Sequence, residues 1–173
     1  MSLKRTAPWG ISAAVLISGS LLFFCSGQAG AATKGDLEAT TEAKNYLSME
    51  AFSLGGLVSQ LKFEGYSTAE ATYGAKHAGA NWNKEASLSA KQYLGTQAFS
   101  MKGLIGQLEF EKFTTSQATF GVAHCGANWN TEAYRSAKQY LATESFSKSG
   151  LIGQLEYDGF TPAQATYGVN RAY

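Results

Sequence analysis

The sequence predicts an all-α protein made of three tandem 47-residue helical repeats, each a helix-turn-helix-like three-helix unit, behind an N-terminal export signal. Three observations carry that prediction. The stretch AKQYLGTQAFSMKGLIGQLEFEKFTTSQATFGVAHCGANWN, residues 90–130, is one copy of a pattern that starts at Ala43, Ala90 and Ala137. Over the 35 positions from Ala90 and Ala137 onward, 22 are identical, and a fixed period of this size marks an array of small supersecondary units. Apolar residues recur at helical spacing, with no strand-like alternation. Each copy also carries a helix-opening signal at the same place.

The N-terminus comes first. Lys4 and Arg5 precede an uncharged, mostly apolar run from Ile11 to Cys25, and Ala29-Gly30-Ala31 closes it with small residues. A basic start, a short apolar run and a small-residue end make an export signal, so residues 1–31 read as a signal peptide or membrane anchor. Three outcomes stay open. Cleavage after Ala31 would release the protein. Lipidation of Cys25 would tether it, although Phe24 stands where a lipobox takes a small residue. The 28 charge-free residues 6–33 could also stay uncleaved as an anchor. Residues 32–42 are polar and read as a tether.

The repeats follow as residues 43–89, 90–136 and a truncated 137–173. Each opens with a helix-favouring stretch that carries Tyr46 and Leu47 or their counterparts. Ser53, Ser100 and Ser147 then read as N-caps, since a serine oxygen accepts from an otherwise unpaired helix N–H. Leu54, Leu57, Val58 and Leu61 form the i, i+3, i+4, i+7 stripe of a helix with one buried face. Gly65 and Gly159 suit a left-handed helix end, and Lys112, in the same place in copy two, is expected to be slightly strained or differently capped there. Ser67-x-x-Glu70, Thr114-x-x-Gln117 and Thr161-x-x-Gln164 are capping boxes, the third with Pro162 at the first helical position. Gly74, Gly121 and Gly168 recur inside the helix so opened. Interior glycine costs about 1 kcal/mol against alanine, so its recurrence predicts another helix crossing close by. Asn83 and Asn130 are read as N-caps of the next long helix, and Trp82 and Trp129 as the links that join one unit to the next.

Charge excludes one class of function. The net charge is +1, and once the two basic residues of the leader are set aside the body is near −1, which gives no electrostatic reason to bind a polyanion. The helix pair around residues 65–67 has helix-turn-helix spacing, yet its second helices read TAEATYGAKH, TSQATFGVAH and PAQATYGVNR. They are rich in Ala and Thr and nearly uncharged, without the basic patch that a base-reading helix needs for the phosphates, so sequence-specific DNA is not an expected partner. Cys125 is replaced by Ala78 and Ala172 in the other copies, so it reads as packing rather than chemistry.

The run YL-x4-FS-x3-L(I/V)xQL, then a capped QATYGV-type helix, then H-x-GANWN, resembles the Ltp family of exported bacterial and phage proteins. These are host cell surface-exposed lipoproteins with a helix-turn-helix-like repeat. The resemblance spans residues 43–173. It implies an all-helical repeat fold, a place outside the cytoplasmic membrane and, for phage-borne members, superinfection exclusion, in which the protein blocks passage of another phage's DNA into the cell. Asn81 and Asn128 stand where the family's GADWN run is acidic.

No residue set supports catalysis. His77 and His124 are equivalent, but the third copy has Arg171, and neither histidine lies in a metal-ligand spacing. No catalytic, cofactor-binding or metal residues are therefore assigned. The aromatic set, Tyr46, Phe52, Phe63, Tyr66, Tyr73, Trp82 and their repeats, is expected mostly in cores and inter-repeat contacts. Trp82 and Trp129 are the candidates for partner contact or inter-repeat stapling. The expected function is a non-enzymatic, exported interaction protein at the cell envelope. Its expected partner is a protein there, with a phage DNA-injection component as the sharpest case and the membrane reached through the N-terminus. The alternative is a cell-wall-associated structural or binding protein with no phage role.

Overall fold

The computed structural model describes residues 31–173, and among these every regular element is a helix. The elements are α1 (Lys34–Met49), α2 (Leu54–Phe63), α3 (Thr68–His77), α4 (Trp82–Thr96), α5 (Met101–Phe110), α6 (Thr115–Ala123), α7 (Trp129–Thr143), α8 (Lys148–Tyr157) and α9 (Pro162–Ala172). The export-signal reading of residues 1–30, with Cys25, lies outside the described residues. No described helix is long and apolar enough to cross a membrane.

The helices form three units of three, α1–α3, α4–α6 and α7–α9. In each, the first helix packs most closely on the third, and the second closes the remaining side. Each unit has its own core. In the middle one Leu104 and Leu108 from α5, Ala86 and Ala90 from α4, and Ala118 and Val122 from α6 are all buried. The first and third units repeat this plan around Leu57 and Leu61, and around Leu151 and Leu155.

The small residues of the first and third helices let their backbones approach. A Cβ placed on Gly74, Gly121 or Gly168 would stand 2.6, 2.6 or 2.5 Å from the carbonyl carbon of Ala39, Ala86 or Ala133. This is the close crossing that the recurring glycines imply. The three capping boxes form as expected, as do the caps at Ser53, Ser100 and Ser147. Lys112 adopts φ 68° where Gly65 and Gly159 have 100° and 93°.

Three sequence expectations need correction. The stretch 32–42 is not a tether, because α1 starts at Lys34 under a capping box between Thr33 and Asp36, and Ala39 is fully buried against α3. The structural unit therefore begins about eight residues before the sequence repeat boundary at Ala43, and the third unit holds all three of its helices, as the reading of three three-helix units expects. The N-caps of α4 and α7 are Asn81 and Asn128, not Asn83 and Asn130. Asn81 has extended backbone and its Oδ1 accepts from the Lys84 N–H, while Asn128 Oδ1 accepts from the Asn130 and Thr131 N–H groups. A cap needs a non-helical backbone just before the first turn, and Asn83 and Asn130 already lie inside the helix.

Candidate interaction surface

The units meet at two junctions built by the same atoms. Ser53 caps α2, its Oγ accepting from the Gly56 N–H, and donates to the carbonyl of Glu111 at the end of α5, 2.5 Å away. Ser100 does the same for Gly103 and for Asp158 at the end of α8, at 2.6 Å. One serine hydroxyl therefore serves one unit as a cap and the next as a tie. Beside it lies an exchange of shapes. Gly55 faces Lys112 at the first junction, and Lys102 faces Gly159 at the second, each glycine accommodating the lysine stem. Lys112 Nζ then donates to Ser59 Oγ at 2.6 Å. This contact accounts for a lysine in the left-handed region, since its stem packs where a glycine would leave a gap.

The junction carboxylates differ. Glu85 and Glu132 are equivalent and both buried. Arg135 engages both oxygens of Glu132 at 3.0 and 2.9 Å and also donates to the Leu94 carbonyl across the second junction. Leu88 stands at the position of Arg135 in the middle unit, and Glu85 Oε2 has no hydrogen-bond partner. Burial pushes the Glu85 carboxyl up, opposed by Lys84 and by a hydrogen bond from the Phe52 backbone.

A third repeated set ties the first and second helices of each unit. Tyr93 donates to Glu111 at 2.7 Å, and Gln107 donates to the Tyr93 hydroxyl at 3.2 Å. Tyr46 with Gln60 and Glu64, and Tyr140 with Gln154 and Asp158, do likewise. Burial first, and then the bond to Glu111, push Tyr93 up to about 12.

Trp82 and Trp129 open α4 and α7, half-buried, and each packs on the core of the preceding unit. The more exposed aromatic row lies elsewhere. Phe63, Phe110 and Tyr157, the last residues of α2, α5 and α8, are 85%, 80% and 88% exposed. This corrects the expectation that such aromatics pack inside. The signal was present, because two residues past Leu61 a helix has turned by about 200°, off the buried stripe. A second row pairs an aromatic with a cation-capable side chain. His77 stacks on Tyr73 at 3.8 Å and His124 on Phe120 at 3.9 Å, each Nδ1 bonded to the carbonyl four residues back. Arg171 lies over the Tyr134 ring at 5.3 Å.

Among the described residues, Cys125 and the two histidines do not come together in one site. Cys125 is buried with Sγ on the Val122 carbonyl, and the neighbouring His124 ring is held by Phe120. Among the described residues no three His, Cys, Asp or Glu side chains cluster to hold a metal ion.

Comparison with known proteins matches this architecture. A family model described as host cell surface-exposed lipoprotein matches residues 36–77, 81–125 and 128–171, one match per structural unit. No curated protein matches. Among solved structures, Ltp, a superinfection exclusion protein from the Streptococcus thermophilus temperate phage TP-J34, is 36% identical with a TM-score of 0.50, over 53% of this chain and 95% of that one.

Proposed function

Because the chain belongs to the family of host cell surface-exposed lipoproteins, we propose that it is a non-enzymatic, exported protein that acts in superinfection exclusion from outside the cytoplasmic membrane. The observation that carries this reading is the 36% identity to a phage superinfection exclusion protein, in the fold the two chains share. Repeated exposed aromatics suit protein recognition, because aromatic side chains are enriched at interfaces. In this reading Phe63, Phe110 and Tyr157 face the partner, a protein at the envelope such as a component of another phage's DNA-injection apparatus. Trp82 and Trp129 staple one unit to the next. Residues 1–31 direct export, with attachment through a lipid on Cys25, release after Ala31 or retention as an uncleaved anchor as the three forms.

The test is expression in a susceptible host with adsorption and DNA injection scored separately. Normal adsorption with blocked injection is the expected result. Unchanged infection across a broad phage panel, with display at the surface demonstrated, would overturn the reading. Mass spectrometry of the mature N-terminus decides between a lipidated Cys25 and a chain that starts at Ala32.

A further inference from the structure

The second junction holds a groove of ≈400 Å³ between α4–α5 and α7–α8, within the size range of small-ligand sites. Its polar lining is mostly uncharged. Gln97, Gln139 and Thr143 are exposed at its edges, and half-buried Phe99 borders it beside buried Phe160. Ser136, only 7% exposed, also belongs to the lining. The one carboxylate, Asp158, is already engaged by the Tyr140 hydroxyl at 2.9 Å and the Gln154 amide at 3.0 Å.

We propose that this groove binds a neutral oligosaccharide of N-acetylated sugars. An ionic ligand finds no free charge in the lining. A purely apolar one would cover the Ser136 hydroxyl and the two carboxamides without replacing their hydrogen bonds to water, which is costly. A sugar ring has an apolar face for Phe99 and hydroxyls for Ser136 and Thr143. Its acetamido group offers one donor and one acceptor, which a carboxamide such as Gln139 matches in both roles. The first junction is a poorer site. Ser89, Gln92 and Thr96 hold the equivalent places there, but Phe52 is 4% exposed and Glu50 replaces Gln97. The inference is independent of phage exclusion, since a chain outside the membrane meets envelope glycans in either case.

The test titrates the full chain with the tetramer of β-1,4-linked N-acetylglucosamine, with a glucose tetramer as comparator, by calorimetry and NMR. The expected result is binding of the N-acetylated tetramer at one site per chain, with no binding of the glucose tetramer. Gln139→Ala and Ser136→Ala should each weaken it about three- to tenfold, the loss of one uncharged hydrogen bond, without lowering the thermal midpoint enough to unfold the chain at the titration temperature. Gln92→Ala, at the first junction, should leave binding unchanged. No detectable binding of the tetramer overturns the proposal. So does binding that Gln139→Ala and Ser136→Ala leave intact, or equal binding of both tetramers.

Discussion

Gly121 has its missing side chain's place occupied by the backbone of Ala86, so helix propensity and packing give opposite signs for the same substitution. Propensity alone favours Gly121→Ala by about 1 kcal/mol. A methyl 2.6 Å from a carbonyl carbon forces α4 and α6 apart, and the expected net effect is a loss of about 3 kcal/mol in chemical denaturation. Gly106 supplies the contrast. It is exposed on α5 with nothing within 4 Å of its missing Cβ, so Gly106→Ala should stabilise by about 0.5–1 kcal/mol. Glu85 is a second residue-scale case. Its carboxyl is raised by burial, so the folded state holds the proton more tightly than the unfolded chain. That contribution is present below the unfolded value and is lost as pH rises through the folded one. Glu85→Gln removes the titration, so the stability of the variant relative to the parent should rise as pH climbs above the ordinary glutamate value, about 4.3. Denaturation midpoints measured in parallel across that range check it, and a constant difference would contradict the assignment. The place of Gly121 was legible in the sequence, from the recurrence of Gly74, Gly121 and Gly168. The missing partner of Glu85 was not, because it depends on what packs around the carboxylate.

At the scale of the element, the three serines that open α2, α5 and α8 separate local from tertiary energy. Ser147 caps α8 and ties no other unit among the described residues, whereas Ser100 both caps α5 and donates to Asp158. Ser147→Ala should therefore cost about 1 kcal/mol, the value of a cap. Ser100→Ala should cost about 1 kcal/mol more, because the Asp158 carbonyl also loses its donor. Equal losses in equilibrium unfolding would mean that the junction bond contributes nothing. The tyrosine ties make a pH prediction for the helix pairs. The folded hydroxyl of Tyr93 is held neutral up to about 12, above the ordinary value near 10. Its contribution is intact below about pH 10 and is lost as pH rises through the folded value. Thermal midpoints should fall across that window, and Tyr93→Phe should flatten the fall.

At the scale of the whole molecule, three separate cores are joined at helix ends rather than across helix faces. Stability in such an array is close to a sum of unit and junction contributions. A chain ending at Ala127 should keep the helices of its first two units while its unfolding midpoint drops by the loss of one junction. Circular dichroism of the shortened chain checks this, and collapse of all helix would show that the units cannot stand without the third. The face of the first unit that meets no other unit among the described residues differs from the same face in the second. Glu42 and Tyr66 in the first unit replace the Ser89 and Phe113 of the second, and Glu38, Glu42, Glu64 and Glu70 all act on Tyr66.

The sequence by itself determined the period, the all-helical class, the capping boxes and the close crossing at Gly74, Gly121 and Gly168. Each of these follows from short-range rules, a cap three residues from its N–H or a glycine at a recurring place, and three copies print each rule three times. Even the strain at Lys112 was readable from the glycines at its equivalent positions. Tertiary structure alone decided the phase of the unit. Periodicity states how long a repeat is and not where it starts, and only the packing of Ala39 against Gly74 draws residues 34–42 into the first unit. It also decided that Asn81 rather than Asn83 caps α4, that a lysine stem fills the place beside a glycine at each junction, and that Phe63, Phe110 and Tyr157 face solvent. Those outcomes depend on which surfaces meet across dozens of residues, and an aromatic has the same local preference whether a neighbour covers it or water does.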